Sequence, residues 1–219
     1  MNVAIDGPSG AGKSTVAKAL AKKFGFFYLD TGALYRAVGL YFARGKIDSR
    51  DKDEIVMRLP EINISFAYID GDQRVFLNGE DVSEQIRTPL ASKYASDVSA
   101  VAEVRAALLD IQRGMAEKHD VIMDGRDIGT VILPDARIKI FLTASTKARA
   151  ERRYSELKEK GQNVSFQEVL HDMEERDKND SDRAFAPLKA APDAIIIDTS
   201  DLTLEQSIEK MSKLIEEKL

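Results

Sequence analysis

The chain has no cysteine among its 219 residues. That excludes disulfides, thiolate nucleophiles and thiolate metal sites, and it fits the reducing cytoplasm, which is the expected compartment. Long apolar runs are missing too. None approaches the roughly 20 residues that a bilayer-spanning helix needs, so no membrane partner is expected. No cleavable signal peptide is expected ahead of the first strand-like run, Asn2-Val3-Ala4-Ile5-Asp6. An excess of positive charge is also lacking. The net charge of -5 argues against nucleic acid as a main partner, while leaving room for a local basic pocket. Histidine is scarce, and His119 and His171 are expected as surface residues in polar helix ends. Without an apolar helical seam for self-association, the chain is expected to be a monomer. What remains is an ordinary globular balance, 43 % hydrophobic and 32 % charged. The length suits one substantial core, or a core with an inserted subdomain.

Against that background one word stands out. Gly7-Pro8-Ser9-Gly10-Ala11-Gly12-Lys13-Ser14-Thr15 follows an apolar strand and precedes a helical pattern. This is the glycine-rich phosphate loop in the setting its chemistry requires. Main-chain N–H groups at a helix N-terminus curl around phosphates, Lys13 reaches the β and γ phosphates, and the Ser14 hydroxyl can ligate Mg²⁺.

The rest of the chain alternates. Val16, Ala17, Leu20, Ala21 and Phe24 recur at helical spacing, with Gly25 as a C-cap. Phe26–Asp30 then reads as a short buried strand ending in a polar residue. The same grammar returns at Val121–Asp124, Ile138–Leu142 and Ala194–Asp198. Helix-like stretches lie at 101–118, 145–160, 165–178 and 203–218. Strands alternating with helices predict an α/β fold with a parallel sheet covered on both faces and ligands at the carboxyl ends of its strands. Asp6, Asp30 and Asp124 all stand at such ends.

Residues 62 to 88 break the rhythm. Ile62–Phe66 and Arg74–Asn78 partly alternate, with turn signals at Asp70-Gly71-Asp72 and Asn78-Gly79, which predicts a small antiparallel insertion. It either serves the function or merely thickens the fold. Lys158–Asn163 is polar and contains Gly161, suiting a mobile loop between two helices.

A phosphate loop serves GTPases, motors and small-molecule kinases alike. No Asn-Lys-x-Asp guanine-reading segment is present. Instead arginines stand near strand ends and in the final third. A single arginine is ordinarily a solvated helix face. A kinase for a phosphorylated acceptor needs several, to hold the acceptor's phosphate and to neutralise the group in flight. A kinase for another acceptor, such as UMP or a phosphorylated metabolite, and a nucleotide-gated binding module without turnover remain alternatives.

Three further words narrow this: Asp30-Thr31-Gly32-Ala33-Leu34-Tyr35-Arg36, Asp124-Gly125-Arg126-Asp127-Ile128-Gly129-Thr130, and Glu175-Arg176-Asp177 followed by Asp180 and Arg183. Together with the phosphate loop, they resemble the bacterial cytidylate (CMP) kinases from Met1 to Leu219. The resemblance implies a P-loop NTPase fold with a five-stranded parallel sheet flanked by helices. It further implies a core at 1–33, 95–147 and 165–219, a nucleoside-monophosphate domain with a small antiparallel sheet at 34–94, and a short lid at 148–164. The implied reaction is phosphorylation of CMP and dCMP by ATP with Mg²⁺.

The resemblance also implies roles. Arg36 and Arg126, helped by the Thr31 hydroxyl and with Tyr35 in the same word, would hold the acceptor phosphate. Other family members often carry serine at the Thr31 position. Arg105 would address the cytosine edge, and Ser96 and Asp127 would accept from its exocyclic amine. Arg176, Asp180 and Arg183 would contact the ribose and base side. Lys13, Arg126 and the lid residues Arg149, Arg152 and Arg153 would stabilise the transferring group. From its strand-end position alone, Asp124 is a candidate for ordering the waters of a Ser14-held metal, the alternative being a cap or turn carboxylate.

Overall fold

The computed structural model describes residues 1–159 and 161–219; Lys160, part of the expected lid and loop, lies outside the described residues. In chain order, β1 (Asn2–Asp6) leads through the phosphate loop into α1 (Lys13–Phe24), and β2 (Phe27–Asp30) leads into α2 (Thr31–Arg44). Then come α3 (Lys52–Arg58), the strands β3 (Ile64–Ile69), β4 (Asp72–Leu77) and β5 (Glu80–Asp81), and helices α4 (Pro89–Val98) and α5 (Ala102–Lys118). β6 (Val121–Gly125) is followed by a π-helical turn at Ile128–Ile132, β7 (Ile138–Thr143), α6 (Thr146–Glu159), α7 (Phe166–Ser181), β8 (Ile195–Asp198) and α8 (Leu204–Glu216). Contacts divide the chain into two compact units, Met1–Tyr28 with His119–Leu219, and Leu29–Lys118.

The five-stranded sheet has the order β2-β6-β1-β7-β8. β1 pairs in parallel with β6 from Asn2↔Val121 to Asp6↔Gly125, and with β7 from Val3↔Ile138 to Asp6↔Phe141. Central position explains the near-continuous apolar reading of β1 and β6, since both of their faces are covered. Val3, Ile5, Leu20, Ile122, Ile140 and Leu142 form this core, closed by Met211 and Ile215 of α8. That helix starts with a capping box in which Thr203 and Gln206 satisfy each other's backbone N–H groups.

Edge position explains where the buried-strand reading fails. In β2 only Leu29 is buried and Phe27 is 37 % exposed; in β8 Ile195 and Ile196 are exposed and only Ile197 is buried. An apolar run says strand, but the strand's place in the sheet decides how many faces are covered.

The Leu29–Lys118 unit has its own core, with Leu34, Val38, Phe42, Ile55, Val75, Val82, Val98 and Leu108 packed together. β3 and β4 form the expected antiparallel hairpin, in register from Ile64↔Leu77 to Ile69↔Asp72. Both residues of its Asp70-Gly71 turn have positive φ, as a tight hairpin of this twist demands. β5 adds a short third strand. α2 and α4 pack at Gly39, where a Cβ would meet the Ala95 nitrogen at 2.8 Å and Tyr94 Cβ at 2.9 Å. Only a hydrogen fits there. Among the described residues no helix is long and apolar enough to cross a membrane.

Candidate active site

The phosphate loop follows β1 directly. Gly7 has φ 150°, and a Cβ there would lie 1.9 Å from the Leu142 carbonyl oxygen of β7. Glycine therefore lets the chain leave the sheet against its neighbour strand. Lys13 opens α1, is buried, and donates from Nζ to the Pro8 carbonyl at 2.8 Å. Burial first, and the Arg126 guanidinium second, push its pKa down to about 7, against the pull of Asp124 and Asp180. Lys13, Arg126, Arg176, Asp124 and Asp180 are thus one electrostatic neighbourhood.

Asp124 sits buried near the end of β6. Its Oδ2 accepts from the Ser14 hydroxyl at 2.8 Å, and its Oδ1 accepts from the Tyr28 hydroxyl at 2.9 Å. A hydroxyl and a carboxylate are hard oxygen donors. Among the described residues no group of three or more His, Cys, Asp or Glu forms a cage for a metal ion. A donor pair of this kind suits Mg²⁺, which keeps waters and substrate phosphate oxygens as its remaining ligands. Sequence reasoning missed Tyr28, which lies 96 residues away from Asp124.

Asp180, on α7, is buried between two arginines. It accepts from Arg126 Nε at 2.7 Å and pairs with Arg183. Burial alone would raise its pKa, yet Arg126, Arg183 and Arg176 outweigh that and hold it below the usual carboxylate range. Burial would likewise weaken the charge on Arg126, and Asp180, Asp124 and Asp177 more than restore it.

Asp6 is a further buried carboxylate, which sequence reasoning placed only at a strand end. Its Oδ1 accepts from the Ile128 N–H and its Oδ2 from the Gly129 N–H, both at 2.7 Å. These amides open the π-helical turn just after Asp127, whose own side chain makes no cap. Desolvation pushes the Asp6 pKa up to about 6; the two backbone bonds oppose this, and the nearby Asp127 charge adds to it.

Arg149, near the start of α6, is 4 % exposed. It donates to the Ala144 carbonyl at 2.9 Å, to the Ser9 carbonyl of the phosphate loop at 3.0 Å and to Thr146 Oγ1 at 3.0 Å, and pairs with Asp177 at 2.6 Å. Arg152 donates to the Thr199 carbonyl and hydroxyl, and Arg153 pairs with Glu156 at 2.7 Å. His119 and His171 are exposed, as expected; His119 packs its ring on Phe27, and His171 lies inside α7 rather than at a helix end.

Within the other unit, Asp30 caps α2 by accepting from the Ala33 N–H and pairs with Arg36 at 2.7 Å. Thr31 and Tyr35 are buried on the same helix. The Arg105 guanidinium lies 5.4 Å from the Tyr35 ring centroid and donates to the Ser99 carbonyl. The buried Ser96 hydroxyl finds no hydrogen-bond partner among the described residues.

A family model for cytidylate kinase matches residues 3–217 of this chain. The cytidylate kinase of Caldicellulosiruptor saccharolyticus is 51 % identical over 214 residues, covering 98 % of this chain and 95 % of that protein. The cytidylate kinase of Caldanaerobacter subterraneus subsp. tengcongensis is 53 % identical over 215 residues, covering 98 % and 94 %. Among solved structures, a shikimate kinase from Bacteroides thetaiotaomicron shares the fold at TM-score 0.50 and 14 % identity, over 99 % of this chain and 98 % of that one. An uncharacterized protein from Eubacterium ventriosum does so at TM-score 0.54 and 17 % identity, with the same coverage.

Proposed function

The chain belongs to the cytidylate kinase family and transfers a phosphoryl group from ATP to CMP or dCMP, giving CDP or dCDP; we propose that the neighbourhood of Lys13, Arg126 and Asp180 carries this reaction. The observation that supports it most is the buried Asp180 holding two arginines, in a neighbourhood shared with the phosphate-loop lysine.

In this reading ATP lies along Gly7–Thr15 with its phosphates on the loop amides. The phosphate polyanion favours the charged form of Lys13. Ser14 and Asp124, held by Tyr28, are the residues to hold Mg²⁺, directly or through waters. When bound, the ion neutralises charge on the β and γ phosphates. The acceptor oxygen belongs to the CMP phosphate, which is ionised near neutral pH, so no strong general base is needed. As its bond to the γ phosphorus forms, the bond to the β,γ-bridging oxygen breaks and ADP leaves.

Catalysis is then alignment plus electrostatics. We assign Arg36, Arg126 and Thr31 to the acceptor phosphate, with Tyr35 supporting Arg105. Arg105, Ser96 and Asp127 read the base, and Arg176, Asp180 and Arg183 serve the ribose and base side. An ionised Asp127 accepts from the amine of cytosine and repels the carbonyl that uracil carries there. The partnerless Ser96 hydroxyl fits a ligand contact. Arg149, Arg152 and Arg153, in the assigned lid at 148–164, would have to exchange their present partners to reach the transferring group. The reading includes a cytoplasmic monomer acting on small molecules, without nucleic acid or membrane.

A coupled turnover assay with ATP and each of CMP, dCMP, UMP and AMP tests the assignment. CMP and dCMP are expected to turn over and UMP to lag tens-fold or more, since an unmatched buried acceptor costs about 1–3 kcal/mol or more. Equal turnover of UMP would reassign the base-reading residues.

A further inference from the structure

We infer that Asp6 is a positioning residue for the acceptor: its carboxylate pins the turn that carries Arg126 and Asp127 to the strand that feeds the phosphate loop. The inference rests on the proposed reading of Arg126 and Asp127 and extends it to a residue with no assigned part.

The geometry is specific. Asp6 ends β1 and Gly7 starts the loop, so its backbone is fixed by two neighbouring strands. Each of its two carboxylate oxygens takes one of two consecutive main-chain N–H groups, those of Ile128 and Gly129. The turn has no cap of its own, because the Asp127 side chain accepts no capping bond there. Asp6 supplies that cap from 122 residues away. Asparagine could accept only one of the two bonds, since its amide nitrogen would face a second donor.

The choice of a charge is otherwise unfavourable. The side chain is 3 % exposed. The ionisable groups that face it are Asp127, which repels it, and Lys13, which attracts it, while the Lys139 stem from β7 packs beside Gly129 and ends in an ion pair with Asp193. A stability role alone would favour a neutral side chain at this position. A rigid two-point clamp on the turn after Arg126 is what the carboxylate adds. Displacing reacting groups by about 1 Å costs on the order of a hundredfold in rate, so such a clamp has catalytic weight.

The test compares wild type with Asp6→Asn and Gly129→Ala, measuring kcat and KM for ATP, CMP and UMP beside a thermal melt. Gly129→Ala strains the same contact from the other side: its Cβ would lie 3.1 Å from Lys139 Cδ and 3.4 Å from Asp6 Oδ2. Both variants are expected to raise the CMP KM by about tenfold and to lower the CMP-over-UMP ratio, with the ATP KM within about twofold of wild type. Equal changes in both KM values, or none, in a folded variant would overturn the inference. So would failure of both variants to fold, which would assign Asp6 to stability. Asp127→Asn separates the two readings. If it leaves the CMP-over-UMP ratio unchanged, base reading by Asp127 fails, and the split between CMP and ATP in Asp6→Asn alone decides the role of Asp6.

Discussion

Asp180 accepts from Arg126 Nε at 2.7 Å with one oxygen and pairs with Arg183 through the other, at 2 % exposure of its side chain. One carboxylate therefore aims two guanidinium groups without leaving either as an uncompensated buried charge. Its partners are far apart in sequence, on the β6 turn and just past the end of α7.

Asp180→Asn should loosen both arginines. Removing one partner of a buried ion pair destabilises by about 3–5 kcal/mol, because the remaining charges stay buried. Urea unfolding should show that loss, and the CMP KM should rise by about tenfold while the ATP KM changes less. Unchanged stability and unchanged KM would show that Arg126 and Arg183 hold their positions unaided.

Arg149→Lys separates charge from geometry. The guanidinium of Arg149 serves the Ser9 and Ala144 carbonyls, Thr146 and Asp177 together. A lysine ammonium keeps the charge but cannot span that set. Loss of the Ser9 contact should free the phosphate loop and weaken ATP binding by about tenfold, the equivalent of one charge-assisted hydrogen bond. Calorimetric titration with ATP would measure this, and equal affinity would make the clamp irrelevant to the loop.

Gly7→Ala asks whether the exit of the loop from the sheet is as tight as the Leu142 contact implies. With the added carbon 1.9 Å from a main-chain oxygen, and φ at 150°, the backbone must move. A drop of about 1–3 kcal/mol in unfolding free energy is expected, together with loss of ATP binding. Wild-type ATP affinity in this variant would count against the placement of the loop.

Asp6 gives stability a signed dependence on pH. Burial pushes its folded pKa up to about 6, above the 3.8 of an ordinary aspartate. Between these values the folded state holds a proton that the unfolded chain has released, so this group's contribution to stability falls as pH rises through the window. Above about pH 6 the contribution stays at its lower level. The difference in unfolding free energy between Asp6→Asn and wild type should therefore shift in favour of the variant from pH 4 to pH 6 and then level off. A difference that does not vary with pH would show that Asp6 is not raised.

The legible parts of this molecule were those whose chemistry is local in sequence. The loop from Gly7 to Thr15 carries its own donors, and the hairpin at 64–77 carries its own alternation and turn. Sheet edges were not legible, because β2 and β8 look like β1 until the strand order is known. The partner of Asp6 was hidden for a similar reason: its acceptors meet main-chain amides, which leave no mark in a side-chain pattern. Tyr28 lies inside the Phe26–Asp30 strand pattern, yet its hydroxyl turns to Asp124 rather than to its own neighbours. The contacts of Arg149 with Ser9 and Asp177 likewise depend on tertiary approach, and no spacing rule announces them.

The missing side chain at Gly39 has a mechanical result. With main chain and Tyr94 pressed against that spot, α2 can neither roll nor slide along α4 without lifting away from it. The pair behaves as a single stiff plank. Tyr35 and Arg36 ride on it one turn from the seam, so any swing that carries them must bend the chain beyond the plank's ends, and a larger residue at 39 would split the plank before it moved it.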